Sequence, residues 1–173
     1  MYSWEKVGEC GAPVPSGVSL LIDMTELMFL GQFYHNMDEK GRLIIPARFR
    51  DYLSIDGAYI LQGFDKNLFV LPSSTFESVS RRVNQMSMTD PTTRLLRRLF
   101  FSTAHHVEVD KAGRILIPQF LRQAASLQGE AVVVGNGVYF EVWSPEQWSI
   151  QSEQIQDAQA NAHRFSALDL TST

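Results

Sequence analysis

Apolar and polar positions alternate over short stretches of this chain, and the same succession of stretches occurs twice. Residues 38–50 read DEKGRLIIPARFR, and residues 110–122 read DKAGRILIPQFLR, a displacement of 72 positions (110 − 38). Without a gap, that displacement also aligns Ser54 with Ser126, Gly57 with Gly129, Gly63 with Gly135 and Val70 with Val142. Many of the shared residues are glycine, proline and aspartate, which set backbone shape. The two halves are therefore predicted to share one fold.

Each copy has the same predicted series of elements. Alternating side chains ahead of Asp38 and Asp110 predict a half-buried strand, and Asp-x-x-Gly-Arg then predicts a hairpin turn whose glycine adopts a positive φ. An apolar strand follows, and then a proline at which a helix can begin. The apolar stripes of the two helices are Phe49, Tyr52 and Leu53 in the first copy, and Leu121, Ala124 and Ala125 in the second. Two more short strands complete each copy, at 59–62 and 68–71, and at 131–134 and 139–143.

A copy built this way is too small to fold alone. Hairpins of this length cannot bury their apolar faces individually, so two copies must interdigitate, within one chain or between chains. Mixed strands and helices place the chain in the α+β class.

Helices are predicted between and after the copies. Capping boxes at Ser74 with Glu77 and at Ser144 with Gln147 predict a helix after each copy. A further helix is predicted over 91–103, with an apolar face beside several arginines. The polar tail from Gln151 predicts a weakly packed helix and a frayed end.

Composition limits the possible functions. Lys plus Arg number 15 against 19 for Asp plus Glu, which gives a net charge of −4 and a pI near 5.5. A uniformly basic nucleic-acid binder is excluded, so any DNA-binding surface must be local. The apolar stretches are too short to span a bilayer, and the acidic first residues do not resemble a secretory signal, which favours a cytoplasmic location. The single cysteine, Cys10, cannot form an internal disulfide.

Catalytic and metal-binding patterns are missing from the sequence. It has no Gly-x-Ser-x-Gly elbow and no glycine-rich phosphate loop. His105 and His106 are adjacent, so on a strand they point to opposite faces and do not form a metal pair. We therefore predict no enzyme activity, no catalytic residue, no metal and no cofactor.

Several motifs together carry a resemblance to a known family. They are Met28-Phe-Leu-Gly31, the paired Asp-x-x-Gly-Arg turns, Met88-Thr-Asp-Pro91 before the arginine-rich helix, and Val142-Trp-Ser-x-Glu-x-Trp148. In order and spacing, they resemble the MraZ family. The resemblance implies two tandem swapped-hairpin modules of the AbrB type, which form a pseudo-symmetric barrel with linking and C-terminal helices.

The same resemblance implies a function. It implies transcriptional regulation through short repeats in double-stranded DNA upstream of the division and cell-wall gene cluster, often including the protein's own gene. It also implies ring-shaped homo-oligomers and a cytoplasmic, nucleoid-associated location.

Five segments are expected. Residues 32–77 form the first swapped-hairpin domain, 78–103 a helical linker, 104–147 the second domain, and 148–173 a C-terminal helix and tail. Residues 1–27 form a leader without a repeat partner. Because family chains begin with a sequence like that at Met28, the leader is interpreted as a start assigned too far upstream or as a disordered arm.

The resemblance also places a DNA-contacting Asp-x-x-x-Arg motif in both turns. The candidate residues are Asp38, Lys40, Gly41 and Arg42 in the first turn, and Asp110, Lys111, Gly113 and Arg114 in the second. The position equivalent to Lys40 is Ala112, so the contribution of the second turn stays open.

These residue types suit DNA recognition. An arginine on a turn can donate two parallel hydrogen bonds to O6 and N7 of guanine, and a neighbouring lysine can bind a phosphate. The aspartate is expected to support the turn, by accepting its N–H groups or by orienting the arginine. One such turn alone is most often only a turn, and its recurrence favours the DNA interpretation.

Other interpretations remain open. The arginines at 81, 82, 94, 97 and 98 suit packing or salt bridges at subunit contacts better than a phosphate track, so they are left out of the site. An antitoxin-like module would bind a toxin through a disordered C-terminal arm, and a purely structural ring would bind no nucleic acid.

Overall fold

The computed structural model describes residues 28–166 and 168, and the leader predicted over 1–27 lies outside them. Within that part of the chain, the strands are β1 Gln32–Asn36, β2 Arg42–Ile44, β3 Ala58–Gln62, β4 Leu68–Pro72, β5 His105–Val107, β6 Arg114–Leu116, β7 Glu130–Asn136 and β8 Tyr139–Trp143. The helices are α1 Ala47–Leu53, α2 Ser73–Gln85, α3 Pro91–Thr103, α4 Gln119–Ala124, α5 Pro145–Gln156 and α6 Ala158–Phe165. Strands and helices follow each other in the same order in both copies, as the repeat predicts.

The strands of the two copies pair with each other. A six-stranded sheet has the order β1-β7-β8-β4-β3-β5, and β2 and β6 form a separate two-stranded ribbon. The first strand of each copy therefore lies antiparallel to the third strand of the other, β1 to β7 and β5 to β3. The second strands pair with each other. The predicted interdigitation occurs within one chain.

The expected barrel is not closed in this structure. β1 and β5 lie at opposite edges of the six-stranded sheet and do not pair with each other. After β1 and β5, the chain enters the two turns, and the strands that follow are three residues each. β2 and β6 pair with each other as a separate ribbon, so they do not join the two edges of the sheet.

The main core lies between the sheet, the ribbon and the short helices α1 and α4. Its buried side chains include the repeat-equivalent pairs Leu43 with Ile115, Ile45 with Ile117, and Phe49 with Leu121. Tyr52 and Ala124 in the predicted apolar stripes are half-buried. The apolar stripes predicted for α1 and α4 are thus the faces that these two helices turn toward the core.

The longer helices cover other parts of the sheet. α2 and α3 pack on β3 and β4 through a stack of rings in which Tyr59 and Phe76 lie 3.9 Å apart, and Phe76 and Phe100 lie 5.1 Å apart between centroids. Trp148 of α5 packs on Trp143, and its indole N–H donates to Gln32 Oε1 at 3.1 Å. Among the described residues, no helix combines the length and the apolar character needed to cross a bilayer.

Helix starts follow the sequence with one correction. Ser144 caps α5 by accepting the Gln147 N–H, and α3 spans its predicted residues. The capping box predicted at Ser74 is wrong, because the cap position of α2 is Pro72, two residues earlier, and it has no side-chain cap. The single helix predicted in the tail is divided at Asp157, whose side chain accepts the Ala160 N–H and so begins α6.

Candidate nucleic-acid interface

The first Asp-x-x-Gly-Arg segment forms a tight turn held by its own backbone. The Asp38 N–H donates to the Arg42 carbonyl at 3.0 Å, and the Gly41 N–H donates to the Asp38 carbonyl at 2.9 Å. Gly41 has a φ of 82°, a conformation that favours glycine. The predicted hairpin turn and the positive φ of its glycine are confirmed.

The second segment repeats this turn. The Asp110 N–H donates to the Arg114 carbonyl at 2.8 Å, and the Gly113 N–H donates to the Asp110 carbonyl at 2.9 Å. Gly113 has a φ of 76°. Because the two turns share one backbone geometry, Arg42 and Arg114 occupy equivalent positions in them.

Asp38 organises the first turn from within. Its Oδ1 accepts the backbone N–H groups of Lys40 at 3.0 Å and Arg42 at 2.9 Å, and its Oδ2 accepts Arg42 Nε at 2.7 Å. The backbone N–H of Arg42 contributes most to lowering the pKa of the Asp38 carboxyl below 3.8, against partial desolvation, with further help from the Arg42 side chain. The aspartate is therefore an ionised support for the turn, as expected.

Asp110 does the same in the second turn. Its Oδ1 accepts the N–H groups of Ala112 at 2.9 Å and Arg114 at 3.0 Å, and its Oδ2 accepts Arg114 Nε at 3.0 Å. The hydrogen bond from the Arg114 side chain is the largest contribution that lowers the pKa of Asp110, and desolvation opposes it.

The two turns touch, and the contact is not symmetric. Arg114 Nη1 donates to Asp38 Oδ2 at 3.4 Å, so Arg114 is shared between two carboxylates. Among the described residues, Arg42 has no matching contact with Asp110. The Arg42 side chain is 34% exposed and that of Arg114 is 26% exposed. Arg42 therefore has more of its guanidinium available for a ligand.

The arginines lie on the outward face of the ribbon formed by β2 and β6. Arg42 is opposite Leu116, and Ile44 is opposite Arg114, while Leu43 and Ile115 between them are buried. Ile44 is 37% exposed and Leu116 is 55% exposed. We call Arg42, Ile44, Arg114 and Leu116 the ribbon face.

Two further arginines, Arg50 and Arg122, lie directly behind the turns. A Cβ on Gly41 would lie 2.7 Å from Arg122 Nε, and one on Gly113 would overlap the Arg50 guanidinium. Arg50 Nε also donates to the Ile45 carbonyl at 2.8 Å. Each turn is thus packed against an arginine of the other copy.

The sequence pattern did not indicate that Arg50 and Arg122 pack beside the turns. Both stand at the last position of the repeated segment, which marks them as equivalent but does not indicate what they contact.

The lysines of the two turns are exposed but not equivalent. Lys40 occupies the third position of the first turn, and Lys111 the second position of the second turn, where the first copy has Glu39. The first turn therefore carries two acidic and two basic side chains, and the second carries one acidic and two basic ones. The second turn has the more positive charge although it lacks an equivalent of Lys40.

Other candidates do not join this surface. Arg94 Nη1 donates to the carbonyls of Met88 and Thr89, and Arg97 Nη1 donates to the carbonyl of Val83, which supports a packing role for both. Within the described part of the chain, no group of three or more His, Cys, Asp or Glu side chains could hold a metal ion.

Comparisons with known proteins agree with the two-copy architecture. The family model of the MraZ protein, described as antitoxin-like, matches residues 28–99 and again 100–170. Similar proteins include three named transcriptional regulator MraZ. The one from Roseiflexus castenholzii is 47% identical over 121 residues, which cover 70% of this chain and 84% of that protein. That from Thermomicrobium roseum is 45% identical over 128 residues, or 74% and 89% of the two chains. That from Herpetosiphon aurantiacus is 42% identical over 144 residues, or 83% and 100%.

Proposed function

Because the chain belongs to the MraZ family, whose similar members are named transcriptional regulators, we propose that it regulates transcription by binding double-stranded DNA through its paired turns. One observation carries the proposal: two equivalent turns direct arginines onto one face of an exposed ribbon. The family is one of regulators, and the chain is not an enzyme.

The ribbon face has the dimensions and chemistry of a major-groove reader. A two-stranded β-ribbon fits the major groove, where arginine recognises guanine through O6 and N7. Asp38 binds Arg42 through Nε, which fixes the direction of the guanidinium before DNA arrives. We assign base recognition first to Arg42, with Arg114 as its partner.

The remaining turn residues have supporting roles in this proposal. Lys40 and Lys111, both exposed, bind phosphates and set the register along the duplex. Asp38 and Asp110 hold the arginines, while Gly41 and Gly113 allow the turn conformation.

The proposal extends to assembly and target. It comprises two swapped-hairpin domains of the AbrB type over 32–77 and 104–147, a ring-shaped homo-oligomer, and a cytoplasmic location at the nucleoid. The target is a set of short repeats upstream of the division and cell-wall gene cluster, including the protein's own gene. Exchange of first strands between the copies is the feature that supports a swapped-hairpin fold.

A footprint of the purified protein on DNA upstream of its own gene tests the proposal. We expect protection of several short repeats at regular spacing, and loss of protection when the repeats are scrambled in a duplex of the same length and composition. A protein that forms oligomers yet protects neither duplex would be a structural ring and would contradict the proposal.

A further inference from the structure

Two aliphatic side chains lie exposed between the arginines of the ribbon face. Ile44 and Leu116 occupy equivalent positions of the two copies, 72 residues apart (116 − 44). Each lies directly across the ribbon from an arginine, Ile44 from Arg114 and Leu116 from Arg42. The face therefore combines two cations with two apolar groups.

This arrangement differs from a scattered exposed leucine, which is ordinary on protein surfaces. Leu43 and Ile115 alternate with these residues and supply the buried side of the ribbon, so the outward positions are not needed for the core. A solvated strand face usually carries polar residues at such positions. An apolar group here suits a ligand that is itself partly apolar and that attracts arginine.

We propose that Ile44 and Leu116 are specificity-determining residues that contact the 5-methyl groups of thymine in the major groove. This inference rests on the proposed function and adds to it a preference for thymine close to guanine in the recognised sequence. In that groove, guanine presents acceptors to arginine, and thymine presents a methyl group to an aliphatic side chain.

The spacing of the ribbon fits this pattern. Same-face neighbours on a strand, such as Arg42 and Ile44, are about 6.6 Å apart, because the rise is roughly 3.3 Å per residue. Successive bases of one strand are about 3.4 Å apart, so this separation spans about two base-pair steps. A ribbon lying along the groove therefore places an aliphatic residue about two steps from each arginine.

A comparison of thymine with uracil in the DNA tests the inference, since deoxyuridine lacks only the methyl group. Affinities are measured for a duplex carrying the footprinted repeats and for the same duplex with deoxyuridine in place of every thymidine in them. For the wild-type protein, we expect removal of the methyl groups to weaken binding about fourfold for each methyl contacted, as burial of one methyl group predicts.

Variants then connect the methyl effect to the two residues. The double variant Ile44→Ala and Leu116→Ala should bind both duplexes equally, with each single variant between it and the wild type. Ile150→Ala serves as the matched control, because Ile150 is 54% exposed on α5, close to the 55% of Leu116, and it should keep the full difference. Thermal melting of each variant verifies that it folds.

The possible failures are distinct. The inference would be overturned if the wild-type protein bound the thymine and deoxyuridine duplexes with equal affinity. It would also be overturned if the double variant kept the full wild-type difference in affinity between the two duplexes. If the double variant changed oligomer size but kept the difference in affinity between the duplexes, Ile44 and Leu116 would be assigned to a contact with a second copy. That result would also overturn the inference. Absence of wild-type binding to the thymine duplex would instead overturn the proposed function itself.

Discussion

At the scale of single residues, Arg42 and Arg114 share one sequence motif and differ in their surroundings. Arg42 is paired with one carboxylate through Nε at 2.7 Å. Arg114 contacts its own aspartate at 2.9 Å and Asp38 at 3.4 Å. These pairs are part-exposed, so each contributes little to folding. Their main effect is to fix the direction in which each guanidinium points and to determine how much of it remains available to a ligand.

Replacement of Arg42 by alanine should weaken specific DNA binding by about 1 to 3 kcal/mol, because a base-reading arginine is lost. Arg114→Ala should have a smaller effect, because two carboxylates already occupy that guanidinium. Both variants should melt near the wild-type temperature. Titration by fluorescence anisotropy measures the affinities, with Arg81→Ala on an exposed position of α2 as the control. If Arg42→Ala and Arg81→Ala bind alike, Arg42 does not read a base.

His35 on β1 should make stability depend on pH. Burial, and secondly the charge of Arg50, lower the pKa of His35 below 6.5, and its Nε2 is buried without a hydrogen-bond partner in the structure. A lowered pKa means that the unfolded chain takes up the proton first, so the free energy of unfolding falls as pH drops below about 6.5 and levels off below the folded pKa. Denaturant unfolding between pH 7.5 and pH 5 measures this fall, which His35→Leu should reduce. An NMR titration midpoint for His35 at or above 6.5 would refute the mechanism.

At the scale of elements, the turns depend on arginines from the opposite copy. The Ile45 N–H donates to the Gly113 carbonyl, and the Ile117 N–H donates to the Gly41 carbonyl, both at 2.9 Å. Arg50 and Arg122 fill the space beside the two glycines. Each turn therefore contacts the helix that follows the other turn.

A comparison of Gly41→Ala with Gly129→Ala should separate backbone strain from this packing. Both glycines have positive φ, 82° and 76°, so each alanine should cost roughly 1 to 2 kcal/mol of folding free energy. The added Cβ meets Arg122 at Gly41, whereas at Gly129 nothing lies within 4 Å. Gly41→Ala should therefore be the more destabilising variant in urea unfolding, and it alone should weaken DNA binding. Equal effects of the two variants on stability and binding would show that the arginine contact is unimportant.

The elements that local chemistry determines could be predicted from sequence. The turn glycines need a positive φ, and α3 begins where Asp90 accepts the N–H groups of Thr92 and Thr93, with Pro91 at the first position. The Ser74 prediction was wrong because a Ser-x-x-Glu pattern also fits inside a first turn, and the cap position of α2 falls at Pro72, two residues before Ser74.

The long-range contacts could not be predicted in the same way. Alternation indicates which face of β1 is buried, but it does not identify the neighbouring strand, and Gln32 pairs with Val134 in the other copy. Arg50 and Arg122 were missed for a related reason. A long charged side chain is expected in solvent, and its packing here depends on a glycine from the other copy that leaves room for it.

At the scale of the whole molecule, the two turns differ in net charge from the chain as a whole. The chain has a net charge of −4, so its average field repels DNA at long range. The two turns together carry four basic and three acidic side chains, which gives this small surface a slight positive excess against that background. A surface of this size contacts few phosphates, so nonspecific binding by a single chain should be weak and should depend only modestly on salt.

Affinity should consequently come from several chains that bind together. Once one ribbon of an oligomer is bound, the next meets its repeat at a high effective concentration, which raises affinity by about 10² to 10⁴ when the spacing fits. Repeats roughly 10 base pairs apart lie on the same side of the duplex, whereas a half-turn shift moves alternate repeats to the opposite side. Three duplexes of equal length, with one repeat, several repeats in phase, and several shifted by half a turn, should be compared at one salt concentration. The in-phase duplex should bind far more tightly than the other two. Equal affinity for all three would show that each ribbon binds independently and that the proposed oligomer does not contribute to DNA affinity.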